Sequence, residues 1–403
     1  MFEPGFLQAG RRIHLARLVS FVGSAFGEFA IPLFLYHETS SALHLGLQWS
    51  LIALTKLFAG QIASRLHWGK TDRRALRNLD LLLALTSLLP LAFLHINLIV
   101  GTYLCTFFAA FLTTIQGGYI DSLVGHAAEK EPKSENARSW LLSKIENGRH
   151  LGMMLGYGLA FYTSTRFGFE WAIAIDSLTF VLSALLLSTV AIEGQARMSA
   201  RPEPAYQILF RPGIRMLTLT QLLVGFGLYT YNASFVVFLK RDLLASDGMV
   251  TLLFVFQYTG YTLGSFVPGL WVRYFREPMP DRVFFWLRVS VVPLFVLFAV
   301  APSGIFFVGV NMLLSLVIAA QLPVSVALFQ RAVSASELRA AGAARIAVTS
   351  FSGAIGAAVA SYVLSGHSGR WVFGYGACVY AVAALLLVKF FQDRKAAAAS
   401  TPA

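Results

Sequence analysis

The chain has 403 residues, of which 57% are hydrophobic and 13% charged, with a formal net charge of +12 and a mean hydropathy of +0.66. A soluble domain carries about a quarter charged residues, so this composition excludes a water-borne globule. Apolar stretches of roughly 20 residues, the length that crosses a bilayer, recur from end to end.

The opening "MFEPGFLQAGRRIHLAR" has no apolar core ahead of its basic residues, so the first hydrophobic segment is expected to remain as a spanning helix. Twelve spans follow. The first six are predicted at about 12–36, 44–66, 76–95, 98–125, 137–164 and 169–192. The polar, basic and proline-containing "EGQARMSARPEPAYQILFRPG" then reads as a linker over residues 193–212. The second six are predicted at about 213–239, 248–274, 282–301, 304–331, 337–364 and 370–391. The expected organisation is therefore two six-helix halves, 1–192 and 213–403, in an all-α membrane protein. The halves echo each other at an offset of 201 residues, where Arg138, Lys144, Ile145 and Gly152 meet Arg339, Arg345, Ile346 and Gly353. Such duplication places a substrate site between halves that rock about it.

With the N-terminus in the cytoplasm, the outer loops hold Arg166, Lys240, Arg241 and Arg370, and Lys56 and Arg149 fall inside spans. The remaining lysines and arginines gather on the inner side, which predicts cytoplasmic termini. The same placement accounts for the positive charge without nucleic acid. Cys105 and Cys378 fall within spans and read as free apolar thiols, with neither disulfide nor zinc spacing. No glycine-x-serine-x-glycine elbow, HExxH helix or glycine-rich phosphate loop is present, so neither an enzyme nor an ATP-driven pump is expected.

Ionisable groups inside a bilayer are expensive and mark function. Glu28 lies about 12 Å from the outer end of span one, and Lys56 about 18 Å from the outer end of span two. Arg149 lies about 20 Å into span five from the cytoplasm, with Glu146 one turn before it. Asp121 sits near the inner end of span four. A carboxylate in a dry site can bind and release a proton as access alternates, a role assigned first to Glu28, then to Glu146 and Asp121. The alternative is structural pairing of Glu28 with Lys56, or of Glu146 with Arg149. Asp176, about 10 Å into span six, is read as structural. Two cations at depth suit a substrate bearing carboxylate, catecholate or phosphate groups. Gln116, Tyr229, Tyr231, Asn232, Gln257, Tyr258, Asn311 and Gln321 are the polar groups expected to complete the lining. On span five, Gly148, Gly152, Gly156 and Ala160 trace a smooth stripe, matched on span eleven by Ser352, Gly356 and Ala360. Small residues let helix backbones approach closely.

Several phrases carry a family likeness: "LARLVSFVGSAFGEFAIPLFLYHETSSALHLGL" with "GQIASRL", then "AIAIDSLTFVLSALLL" and "ELRAAGAARI". Over nearly its full length the chain resembles the major facilitator superfamily, and within it the drug and siderophore efflux branch that includes the enterobactin exporter and macrolide efflux proteins. The resemblance implies the major facilitator fold in a bacterial inner membrane and proton-driven antiport with no cofactor. It also implies a small-molecule substrate, read here as a siderophore-like anion, moved by a monomer. Multidrug or macrolide efflux, uptake and lysophospholipid flipping stay open as alternatives. The family's gate between spans two and three maps onto Gly60 and Arg65, but Ser64 stands at the usual aspartate, leaving Asp72 as a shifted substitute. The antiporter motif of span five maps onto Gly152 and Gly156, with Tyr157 in place of proline, and its parallel in span eleven onto Gly353 and Gly356.

Overall fold

In the computed structural model the described residues are 4–63, 72–93, 98–129, 134–190, 209–275, 281–331 and 338–399. The apolar runs are helical. In chain order the helices are α1 (Pro4–Thr39), α2 (Ala42–Ala63), α3 (Asp72–Phe93), α4 (Leu98–Glu129), α5 (Ser134–Phe167) and α6 (Phe169–Ser188). After the linker come α7 (Pro212–Val237), α8 (Asp247–Phe275), α9 (Asp281–Val289), α10 (Val291–Ala299), α11 (Gly304–Arg331), α12 (Leu338–Gly366) and α13 (Gly369–Ala399). Helices α9 and α10 together make the ninth predicted span, so the described residues supply the twelve expected segments. Eight stretches among the described residues, in α4, α6 to α8, α9–α10 and α11 to α13, are long and apolar enough to cross a membrane. Helices α1, α3 and α5 carry the interior charges Arg17, Glu28, Asp80, Glu146 and Arg149.

Local chemistry sets the boundaries. Pro212 opens α7 at a position whose N–H would be unpaired in any case. Gly168, at φ 94°, makes the one-residue turn between α5 and α6, where a side chain would be strained. The ninth span breaks at Ser290, three residues before Pro293, which has no N–H to continue the ladder. Span seven ends in a π-turn, Phe238–Asp242.

Two compact units form, Met1–Glu38 with Phe58–Met198 and Thr39–Leu57 with Ser199–Ala403. In the first, Phe6, Ile13, Leu76, Leu123, Leu141 and Leu187 build one core cluster, and Leu79, Leu83, Leu112, Ile115 and Phe180 another. In the second, Leu217, Phe284, Phe329 and Leu387 pack together, beside a fully buried aromatic group that includes Tyr231, Phe295, Phe298, Phe307 and Phe373. Leu85, Leu185, Trp286 and Leu385 stay exposed on their helices, as lipid-facing side chains do.

The small-residue stripes join the same helices in each unit. A Cβ on Gly152 of α5 would stand 2.6 Å from Leu18 O and 3.0 Å from Phe21 Cβ of α1, and one on Gly156 would stand 2.6 Å from Ala25 Cβ. In the second unit, a Cβ on Gly353 of α12 would meet the Tyr229 ring of α7 at 2.5 Å, and one on Gly356 would meet Phe226 C at 3.0 Å. The first and fifth spans of each half thus touch through glycine, and Gly152 and Gly353 are related by the 201-residue repeat. Residues 39–57 at the start of α2 pack on α12, where Ser50 Oγ donates to Ala354 O at 3.1 Å. The Trp49 ring also meets Tyr229 edge to face at 6.4 Å.

Basic residues serve as helix C-caps. Arg241 donates to Leu364 O and His367 O at 2.5 Å each, and Arg370 donates to Ala299 O and Ala301 O at 3.0 and 3.1 Å. In the first unit Arg73 donates to Val190 O at 2.6 Å and Arg12 to Thr189 O. Each guanidinium satisfies terminal carbonyls that the helix itself cannot.

Candidate functional site

The charged interior of the first unit is built on α1, whose Arg17, Phe21, Gly23, Gly27 and Glu28 meet three partner helices. Toward the start of α1, Arg17 is 3% exposed and Asp80 of α3 is 0% exposed. Arg17 Nη1 lies 3.9 Å from Asp80 Oδ1, an ion pair longer than a hydrogen bond. Asp80 instead accepts hydrogen bonds from Ser183 Oγ of α6 at 2.6 Å and from Gln116 Nε2 of α4. Arg17 Nε and Nη1 have no hydrogen-bond acceptor among the described residues. The Arg17 guanidinium rests 4.6 Å from the Phe21 ring centre, a cation–π distance. Gln116, expected to line a substrate cavity, is therefore committed to a buried carboxylate.

Arg149 reaches the same Phe21 ring from α5, at 5.5 Å. It also lies 3.8 Å from Glu146, and His150 Nε2 lies equally far from that carboxylate. Here the sequence-expected pair forms, on a half-exposed face: the Arg149 side chain is 48% exposed. Two guanidiniums thus share one phenyl ring, each with a carboxylate just beyond hydrogen-bonding distance.

One to two turns further along α1, Glu28 is exposed and accepts a 2.8 Å hydrogen bond from the Tyr157 hydroxyl of α5. Tyr157, at the motif's proline position, is fully buried. Behind Glu28 stands Asp176 of α6, 8% exposed. Its Oδ1 would be 2.8 Å from a Cβ on Gly23, and its Oδ2 3.6 Å from one on Gly27. The carboxyl shares with the Thr179 hydroxyl the room that Gly23 leaves, and the Glu28 charge acts on it. Asp176 is thus the dry acid here, and Glu28 the accessible one.

Lys56 is partly buried on the stretch of α2 grouped with the second unit, so Glu28 and Lys56 fall in different units. The other expected lining residues have varied surroundings. The Tyr231 hydroxyl donates to Asn311 Oδ1 at 2.5 Å, and Asn311 Nδ2 donates to Leu253 O at 3.2 Å; both residues are core members, ringed by Phe235, Phe295, Phe298 and Phe373. Gln321 Nε2 donates to Leu287 O at 2.8 Å, beside the break between α9 and α10. Tyr229 is buried under Trp49, and Asn232 is partly buried on α7. Gln257 Nε2 reaches the Tyr261 hydroxyl at 3.4 Å, and its Oε1 finds no partner among the described residues. Tyr258 meets the Tyr261 ring at 5.4 Å. Arg65 lies outside the described residues, as do the side chains of Asp121 and Asp72 and the surroundings of Gly60.

Arg17 and Asp80 were absent from the sequence expectations. They sit in "RRIHLAR" and "RRALRNLD", where neighbouring charges mark the end of a span and conceal a buried pair. A lone aspartate followed by apolar residues, "DLLLAL", was the available signal.

Residues 217–403 match the family model of the Major Facilitator Superfamily. No curated relative matches the chain. Among solved structures, the chain is similar over 97% of its length to a bacterial homologue of the human lysosomal transporter Spinster, at 14% identity, covering 98% of that chain with a TM-score of 0.68. It is similar over 95% of its length to the nucleoside transporter NupG, at 14% identity, covering 100% of that chain with a TM-score of 0.71. Over 96% it is similar to the human organic anion transporter TETRAN, at 15% identity, covering 100% of that chain with a TM-score of 0.67. The chain therefore has the multi-pass, all-helical major facilitator fold, and its second half carries that superfamily's sequence pattern.

Proposed function

We propose that the protein is a secondary transporter of the bacterial inner membrane that exports a small organic anion, such as a siderophore, in exchange for protons. It works as a monomer with both termini in the cytoplasm and no cofactor beyond the proton gradient. Two six-helix halves joined by residues 193–212 rock about a central site. The observation that carries the anion reading is the Arg17 guanidinium, buried against Phe21 with donors to spare among the described residues. Arg17 is buried with Nε and Nη1 unaccepted among the described residues, and Arg149 stacks on the same ring. The carboxylate partner of Arg17, Asp80, stands at 3.9 Å, so an incoming anion can take direct, charge-assisted hydrogen bonds from Arg17. Lys56 on α2 is the cation that the second unit offers, while Glu28 exchanges the coupling proton. Efflux is the direction suggested by the likeness of the first, second and sixth spans to siderophore and macrolide exporters.

Purified protein in proteoliposomes tests this reading with radiolabelled catecholate and carboxylate probes. Arg149→Gln and Lys56→Gln are each expected to lower anion transport about tenfold or more, equivalent to roughly 1.4 kcal/mol of lost binding. The exposed carboxylate of Glu28 favours a second reading, efflux of lipophilic cations. If both variants fold, move anions normally and lose cation transport, that second reading replaces the first.

A further inference from the structure

The acid that meets the physical requirement for holding a proton out of water is Asp176. It is 8% exposed, its Oδ1 finds no hydrogen-bond donor among the described residues, and it lies over Gly23 and Gly27 of α1. A buried ionised carboxylate is costly unless it is paired or hydrogen-bonded. Of the helices near it, α1 presents Glu28, α5 presents Tyr157 through Glu28, and α6 itself presents Thr179, whose hydroxyl donates to the Asp176 carbonyl at 2.7 Å. Helix α3 packs on α6 with Asp80, which is engaged by Ser183 two turns away, about 10 Å along α6. Among the described residues the charged group acting on Asp176 is Glu28, an anion. Two carboxylates held together cannot both ionise cheaply.

We infer that Glu28 and Asp176 form one two-residue proton site, in which accessible Glu28 exchanges protons with water and buried Asp176 stores the proton between α1 and α6. This deepens the proposed function by adding the acid that retains the proton, and it rests on that reading only for the use made of the proton. In the transfer, the Oε–H bond of Glu28 breaks and an Oδ–H bond forms on Asp176. Glu28 is left as a carboxylate held by the Tyr157 hydroxyl. No electron moves and no co-reactant is needed. Gly23 is part of the site, because a Cβ there would run into Thr179 Oγ1 and stand 2.8 Å from Oδ1, displacing both side chains.

The test uses the full chain in lipid without any substrate and reads the infrared carbonyl stretch of a protonated carboxyl. The wild-type protein should show such a band at neutral pH, and it should shift when aspartate side-chain carboxyls are isotope-labelled. Asp176→Asn should abolish the band. Glu28→Gln should keep it, but its hydrogen–deuterium exchange should slow on the order of 100-fold, the scale of a lost acid–base relay. If Asp176→Asn fails to fold, Asp176→Glu decides: its band should lose the aspartate-label shift, whereas a band from Asp80, the other buried aspartate, would keep it and overturn the proposal. Absence of a label-sensitive band in the wild type overturns the proposal, as does a band that survives in folded Asp176→Asn, or exchange unaltered in Glu28→Gln. Because no substrate is present, a negative result leaves anion transport standing. A positive band in a protein that moves no anion leaves the proton site standing.

Discussion

Gly152→Ala on α5 asks whether α1 and α5 touch as closely as the structure has them. The new Cβ would lie 2.6 Å from Leu18 O, 3.0 Å from Phe21 Cβ and 3.2 Å from Val22 N, two of them backbone atoms that cannot swing aside. Carbon atoms pack best at about 3.5–4.0 Å, so the helices must part by roughly 0.5–1 Å, which forfeits a quarter to a half of each dispersion well along the seam. Such overpacking costs about 1–3 kcal/mol. Alanine returns about 0.5–1 kcal/mol through its better helix propensity. Gly158, on the same helix, has nothing within 4 Å of its Cβ position, so Gly158→Ala takes the propensity gain without the clash. The two variants should differ by about 1–3 kcal/mol, or about 2–12 °C in melting temperature at roughly 2–4 °C per kcal/mol for a unit of this size. Thermal unfolding of both purified proteins in one detergent, followed by intrinsic fluorescence, measures the difference. If Gly152→Ala melts at or above Gly158→Ala, the close approach of α1 and α5 is refuted.

Two other outcomes are expected. Arg17→Met leaves Asp80 buried without its cation and should destabilise the protein by about 3–5 kcal/mol, while Arg17→Met with Asp80→Asn should recover part of that loss; denaturation of the single and double variants checks it, and strict additivity would dissolve the pair. For topology, a reporter active only outside the cytoplasm should work when fused near Ser246 or Ser368 and stay silent near Pro204, and activity at Pro204 would reverse the orientation.

Helix class and span number were legible in the sequence because apolar runs of bilayer length admit few other structures. The ninth span was anticipated as continuous. Pro293 lies within it, and the packed helix breaks at Ser290, with Gln321 reaching the Leu287 carbonyl there. The intrahelical pair of Glu146 and Arg149 was also legible, since residues three apart on a helix are neighbours whatever surrounds them. Tyr231 looked like a polar lining because span seven is unusually polar at its centre, and Asn311 because it is a polar group within span ten. Their hydroxyl and amide instead satisfy each other inside an aromatic core, a choice made by which face of α7 meets α10 and α11.

The sequence by itself determined the solvent: hydrophobic content and the rarity of charge require lipid around helices, and four matches at one offset pointed to two related halves. Only the tertiary structure decided which charges are dry. Burial depends on what crosses a helix, and no local pattern records that. Arg17 and Asp80, which read as span ends, became a buried pair when α1, α3, α4 and α6 converged. Asp176, which read as structural, came to lie near exposed Glu28 because Gly23 lets α6 approach α1. The start of α2 was assigned to the second unit by contacts such as Ser50 on Ala354, some 300 residues away in sequence. Hydropathy is a sum over neighbours in the chain, whereas the cost of an ionised group is set by neighbours in space.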